Sequence, residues 1–319
     1  MTRKTGEQRQ GEASWFFAKE RGSRFILAFV VWCIRHAGHA PLRVLVAPIA
    51  AYYTLFAPTA RRASLSYLSR VTRIRGDRPP GLLDAYRHFH EFAAVILDRL
   101  AIWSGAIDRF EVVLHGKENI EELVEKKSGA LLIGAHLGCL DVLRVLARDA
   151  GIPVNVVRYG ANAERINETF QALDPDSRVR IIDLDPTSVQ ASFEIRRCVA
   201  RGEFVAVQAD RVRPGPRERI THANLLGELA PFPEGPILLA ILLRIPVVLT
   251  FALRKGPRAY DIYLETLAGA EPVPPQERQR VVRERVEAFA SRIEHHCLRS
   301  PYQWFNFYDF WGGAEDGRR

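Results

Sequence analysis

From residue 108 onward, short β-rich apolar runs alternate with helical patterns, and this alternation restricts the fold more than any other feature of the chain. "FEVVLHG" (110–116), "GALLIGAH" (129–136), "PVNVVR" (153–158), "RVRIIDL" (178–184) and "EFVAVQAD" (203–210) read as strands. Between them lie a charged helix at 117–127, a helical pattern at 137–149, a helix from about residue 163 and another at 187–201. "IPVVLTFAL" (245–253) and "AYDIYLETL" (259–267) add two strands. Val282, Val286, Phe289, Ile293 and Cys297 then mark an amphipathic helix over 276–298. Such alternation predicts an α/β domain, a mainly parallel sheet flanked by helices on both faces.

Ahead of this domain stand two uncharged apolar runs, "FILAFVVWCI" (25–34) and "VLVAPIAAYYTLFA" (44–57). Spanning a bilayer takes about 20 apolar residues, which neither run reaches alone. A signal peptide is not indicated, because the second run follows at once and no small-residue cleavage site is obvious. Arg3, Lys4, Arg9, Lys19, Arg21 and Arg24 precede the runs, and Arg61, Arg62, Arg70, Arg73, Arg75 and Arg78 follow them. Basic flanks on both sides predict a helical hairpin dipping into the cytoplasmic leaflet, against the competing reading of two buried helices. Tyr86, Phe89, Ala93, Ile96, Leu97 and Leu100 recur at helical spacing over 82–104. His88 and His90 on that helix are two apart, do not share a face, and read as structural. The organisation expected is a disordered terminus (1–14), a membrane-associated helical region (15–107), the α/β domain (108–311) and a tail (312–319).

The net charge of +8 points to an acidic partner or surface. Anionic lipid and an acidic carrier protein fit it; scattered basic residues and the lack of a zinc-finger or RNA-binding signature disfavour nucleic acid. Cys33, Cys139, Cys198 and Cys297 lie far apart. They suggest neither a metal site nor a disulfide framework, and they fit a reducing compartment.

In parallel sheets ligands bind beyond the carboxyl ends of the strands, and His136, Arg158 and Asp210 end three separate apolar runs. His136 also begins a His-x4-Asp spacing with Asp141. With nine histidines and 37 acidic residues in 319 positions, about one such pair is expected by chance, so position must carry the weight. One turn into a following helix, Asp141 can accept the Nδ1 proton and leave Nε2 as a general base. The alternative is an ordinary ion pair between Asp141 and Arg144, with His136 bonded to a loop carbonyl. No Gly-x-Ser-x-Gly elbow is present, and Cys139 has no activating basic cluster around it. Asp210 is expected to hold Arg158 or a neighbouring loop. Arg158 reads equally as a phosphate ligand or a structural ion pair. In "PFPEGP" (231–236) Gly235 makes a turn and Pro236 starts a helix; an anion at that helix N-terminus would make Glu234 and Gly235 substrate-binding. The aromatics of 304–311 read as packing or membrane-interface residues.

"GAHLGCLD" (134–141) resembles the first motif of the lysophospholipid and glycerolipid acyltransferase superfamily. "VVRYGAN" (156–162), "QADRVRPG" (208–215), "NLLGELAPFPEGPILLAILLRIPVVLTFALR" (224–254) and "PYQWFNFYDFW" (301–311) follow in the order and spacing of the bacterial late lipid A acyltransferase family. The resemblance covers residues 20–311. It departs from that family at Asp141, where glutamate is usual, at Tyr159, where proline is usual, and in the less tryptophan-rich ending. It implies a glycerolipid acyltransferase-like fold and acyl transfer from a thioester to a lipid hydroxyl. His136 and Asp141 would be catalytic, and Arg158, Asp210, Glu234 and Gly235 would bind substrate. It further implies no metal or cofactor, an acyl carrier protein or coenzyme A thioester as donor, and the cytoplasmic face of the bacterial inner membrane. Arg211, Arg213, Arg217 and Arg219 suit an acidic carrier. Two alternatives are an acyltransferase for another glycerolipid or glycolipid, and a catalytically silent membrane-bound partner.

Overall fold

The computed structural model of the chain describes residues 41–103, 106–143, 151, 153–158, 179–183, 189–212 and 219–312. In chain order the described strands are β1 (Glu111–His115), β2 (Leu131–Gly138), β3 (Val154–Arg158), β4 (Val179–Asp183), β5 (Phe204–Gln208), β6 (Ile220–Leu225), β7 (Glu228–Pro233), β8 (Val247–Gly256) and β9 (Ala259–Ala268). The described helices are α1 (Val46–Phe56), α2 (Pro58–Arg75), α3 (Leu82–Trp103), α4 (Glu118–Glu125), α5 (Val189–Ala200), α6 (Gly235–Leu243) and α7 (Arg278–Arg299). The expected elements at 1–40, at 144–150, from residue 163 and at 313–319 lie outside the described residues.

Seven strands form one sheet in the order β1-β9-β8-β2-β5-β3-β4. All neighbouring pairs are parallel except β8 with β9. The mostly parallel sheet expected from the alternation is therefore present, with one antiparallel pair one strand in from the β1 edge. Only Pro257 and Arg258 separate β8 from β9, and two residues suffice for a hairpin but not for a crossover. A second hairpin, β6 with β7, was not foreseen; its two-residue turn holds Leu226 and Gly227 at φ 56° and 80°. Two successive positive φ angles suit the right-handed twist of paired strands.

The pleat of β2 divides its side chains between two cores. Leu131, Ile133, Ala135 and Leu137 join α2, α5, α6 and α7 on one face, and Leu132 joins α3 and α4 on the other. A strand buried on both faces reads as an unbroken apolar run, which is what "ALLIGA" is. Tyr67, Leu68 and Val71 of α2 belong to the same core as the sheet, so that core extends across residue 107. Arg70 and Arg73 of α2 also pair with Glu228 of β7 at 2.7 and 3.0 Å.

Helix α1 packs on α3 through Val46 and Ala50, against Ala94, Leu97, Ala85 and Phe89. Its other side is apolar and open: Val44 just before it, with Tyr52, Leu55 and Phe56 on it, are each more than half exposed. Among the described residues no single helix is long and apolar enough to cross a membrane. The segment Leu42–Phe56 with Pro58–Arg75 reaches the length only as a pair bent by 96°.

Candidate active site

His136 stands at the carboxyl end of the central strand β2, and Asp210 lies two residues past the end of its neighbour β5. The register setting Gly134 beside Gln208 continues as Ala209 N–H donates to Gly134 O at 2.9 Å, which brings residues 136 and 210 level. His136 Nδ1 lies 2.7 Å from Asp210 Oδ1, and the His136 backbone N–H donates to Oδ2 at 3.0 Å. Oδ2 also accepts from Trp304 Nε1 and from Asn306 Nδ2, both at 3.0 Å. Asp210 is fully buried, so these donors replace its water.

Charge follows from this geometry. Burial pushes the Asp210 carboxyl up, but His136, the Arg211 cation and the His136 N–H outweigh it and hold it well below the usual carboxylate range. An ionised carboxylate only accepts, so His136 Nδ1 carries the proton and Nε2 keeps its lone pair. Burial and the Arg211 cation pull the imidazole pKa down despite Asp210. The ring is therefore neutral at rest. Nε2 has no hydrogen-bond partner among the described residues, and the side chain is 26 % exposed. A fixed tautomer with an open Nε2 is the arrangement of a general base.

The carboxylate on Nδ1 is Asp210, not Asp141, which corrects the expectation from spacing. Strand β2 runs two residues beyond His136, and Leu140–Leu143 form a 3-10 turn in place of an α-helical one. Asp141 consequently faces α3. Its Oδ1 accepts from Trp103 Nε1 at 2.9 Å, and its Oδ2 lies 2.7 Å from Arg99 Nε. Asp210, expected to hold Arg158 or a loop, instead holds the histidine.

The extension of β2 has two causes. Gly138 adopts φ 72° and approaches β8 so closely that a Cβ would sit 1.9 Å from Ala252 O. The C-terminal segment also pairs antiparallel with this end: Phe305 N–H donates to His136 O at 2.8 Å, and Gly138 N–H to Gln303 O at 2.9 Å. Cys139 N–H donates to Ala252 O at 2.8 Å, so the Gly138 and Cys139 amides are both spent and cannot serve an oxyanion.

That segment is a clamp in which polar contacts add to the packing of buried aromatics such as Trp304 and Phe305. The Gln303 side-chain amide bonds both backbone groups of Arg254, at 2.8 and 2.6 Å. Arg211 turns inward, donating from Nε to Asn306 Oδ1 at 2.7 Å and from Nη2 to Phe305 O at 2.9 Å. His88 Nε2 donates to Trp304 O at 3.0 Å, while Nδ1 lies 2.9 Å from Ser64 Oγ. Burial brings the His88 pKa down to about 4, in keeping with the structural role expected of it. A cleft of about 460 Å³ lined by Tyr86, Arg87, His90, Arg254 and Tyr302 shares Gln303 with the clamp but includes neither His136 nor Asp210.

The remaining candidates fall elsewhere. Arg158 closes β3, one strand beyond β5, opposite Asp183 of β4. Glu234 is buried, and its Oε1 accepts from Thr221 Oγ1 at 2.8 Å and Gln279 Nε2 at 3.1 Å, which ties β6 and α7 to the start of α6. Gly235 opens α6, a helix start as expected. Arg213 and Arg217 lie outside the described residues. Among the described residues no three His, Cys, Asp or Glu side chains are grouped to hold a metal ion. Sequence reading missed Trp304 and Asn306 as site residues; the available signal was a polar Gln-x-x-Asn spacing inside an aromatic run.

Comparison with protein-family models finds no match for this chain, and comparison with curated proteins finds none.

Proposed function

We propose that the chain is a membrane-associated O-acyltransferase that moves a fatty acyl chain from a thioester to a hydroxyl of a lipid acceptor. The observation that carries this reading is the neutral His136, tied by Nδ1 to an ionised Asp210 and open at Nε2. Nε2 removes the acceptor hydroxyl proton as the oxygen attacks the thioester carbonyl. Asp210 stabilises the imidazolium that forms. The tetrahedral intermediate then collapses, the C–S bond breaks, and Nε2–H returns its proton to the leaving thiolate. The products are an ester and a free thiol, and His136 is neutral again.

A lipid acceptor is favoured by the open apolar side of α1, from which Arg61 and Arg62 follow within two turns. Such a surface with basic neighbours suits an anionic membrane interface. The sequence motifs that resemble the late lipid A acyltransferases favour a lipid A-type acceptor and an acyl carrier protein or coenzyme A thioester as donor. They also favour action at the cytoplasmic face of the bacterial inner membrane.

The test is incubation of the purified full chain with acyl carrier and coenzyme A thioesters and a bacterial lipid extract. Mass spectrometry should show a lipid heavier by one acyl group together with release of the free thiol. Thiol release with no acylated lipid would make the protein a thioesterase, and the absence of both would overturn the reading.

A further inference from the structure

Arg99 on α3 lies outside the His136–Asp210 pair, and the mechanism above makes no use of it. Its Nε sits 2.7 Å from Asp141 Oδ2, and its guanidinium stacks on the Trp103 ring at 4.6 Å. Trp103 Nε1 in turn donates to Asp141 Oδ1 at 2.9 Å. The three side chains close a ring in which the Asp141 charge and the Trp103 face set the place of the guanidinium, while Arg99 Nε–H makes no hydrogen bond among the described residues. Asp141 is nearly buried, at 12 % side-chain exposure, whereas Arg99 keeps 28 %. The two terminal nitrogens of Arg99 take no partner among the described residues. The cation is also near enough to His136 to help lower its pKa. A held guanidinium with its terminal donors unspent, paired to the turn that follows the His136 end of β2, is suited to an oxyanion of tetrahedral shape.

We propose that Arg99, held by Asp141 and Trp103, binds a phosphate group of a substrate beside His136. The role of Asp141 is then to position Arg99 rather than the imidazole. This rests on the acyl-transfer reading, under which a phosphate can arrive on the phosphopantetheine arm of the donor or on the acceptor lipid. The planar fork engages either source in the same way. Loss of a hydrogen bond to a charged group predicts about a 10- to 100-fold rise in KM for the phosphate-bearing substrate.

The experiment compares wild type, Arg99→Gln, Arg99→Lys and Asp141→Asn as full-length proteins whose circular dichroism matches. Each is assayed with acyl pantetheine donors with and without the 4′-phosphate, and with acceptors with and without phosphate. The wild type should prefer the phosphorylated form of one of the two. That preference should collapse in Arg99→Gln and Asp141→Asn and partly survive in Arg99→Lys. Collapse on the donor side places the arm at Arg99, and collapse on the acceptor side places the lipid there. If neither preference changes, the proposal is overturned. It is also overturned if Asp141→Asn lowers kcat with the unphosphorylated substrates as far as Asp210→Asn does, as an orienter of the ring would. A separate arm needs no turnover: inorganic phosphate titrated into the wild type should perturb the His136 ring resonances in NMR spectra, and in Arg99→Gln it should not. If no acyl transfer occurs but this arm succeeds, only the acyl-transfer reading has failed; if this arm fails, the Arg99 site falls whatever the reaction.

Discussion

His136 and Asp210 are joined twice, since one carboxylate oxygen lies 2.7 Å from the ring Nδ1 and the other accepts the histidine's own backbone N–H at 3.0 Å. The double tether fixes both the tautomer and the place of the ring on its strand. A side chain held only by Nδ1 could swing about its χ angles, whereas here the carboxylate is locked by the peptide that carries the ring. Trp304 and Asn306 complete the lock from the C-terminal segment.

Replacing Asp210 by Asn should therefore lower kcat far more than it changes KM. The amide can donate toward Nδ1, which favours the tautomer with its proton on Nε2 and removes the base. A loss of about 10³- to 10⁴-fold is expected from the behaviour of a buried aspartate behind a catalytic histidine. Steady-state kinetics on the thioester assay measures it. A kcat within threefold of wild type would show that Asp210 is only structural.

The active form of His136 is neutral, so kcat/KM should fall on the acid side as the ring takes a proton. Burial and Arg211 lower its pKa, which places the acid limb below the ordinary histidine value of about 6.5. Removing one cation beside the ring, as in Arg211→Gln, should move the limb upward. A pH–rate series on both proteins checks the direction of the shift.

His88 makes folding sensitive to acid through the same sign of shift. Its pKa is about 4 in the folded protein against about 6.5 in an unfolded chain, so between these values the unfolded chain binds a proton that the folded protein refuses. The stabilisation is complete above pH 6.5 and is lost as pH falls toward 4, on the order of 3 kcal/mol across that window. His88→Phe should show a flatter fall of the urea midpoint over this range than wild type does. A parallel decline in the two proteins would contradict the assignment.

Leu55 and Phe56 are exposed at 62 % and 69 % on the open side of α1. Burying such a side chain contributes about 1.5–3 kcal/mol. The double replacement Leu55→Ser with Phe56→Ser should weaken sedimentation with anionic phospholipid vesicles at least about tenfold, with the circular dichroism unchanged. Equal sedimentation of variant and wild type would remove α1 from the membrane contact.

The sheet was legible because its signals are local. Runs such as "ALLIGA" and "FVAV" are apolar at every position, as a strand covered on both faces requires. His136 could be placed at a strand end for the same reason. Its partner could not, because chain proximity favoured Asp141 whereas the sheet register favours Asp210, and register depends on which strands lie side by side. Trp304 and Asn306 reach Asp210 across 94 and 96 residues. No periodicity reports a contact of that kind. The β6–β7 hairpin escaped notice because its turn places a leucine, Leu226, at a positive φ where Asn, Asp or Gly is usual.

The decisive measurement is the rate of acyl transfer by His136→Ala beside wild type, at saturating thioester and lipid, followed by mass spectrometry of the acylated product. General-base catalysis by the ring predicts a fall in kcat of about 10²- to 10⁴-fold with the fold intact. Transfer by His136→Ala at the wild-type rate would contradict it.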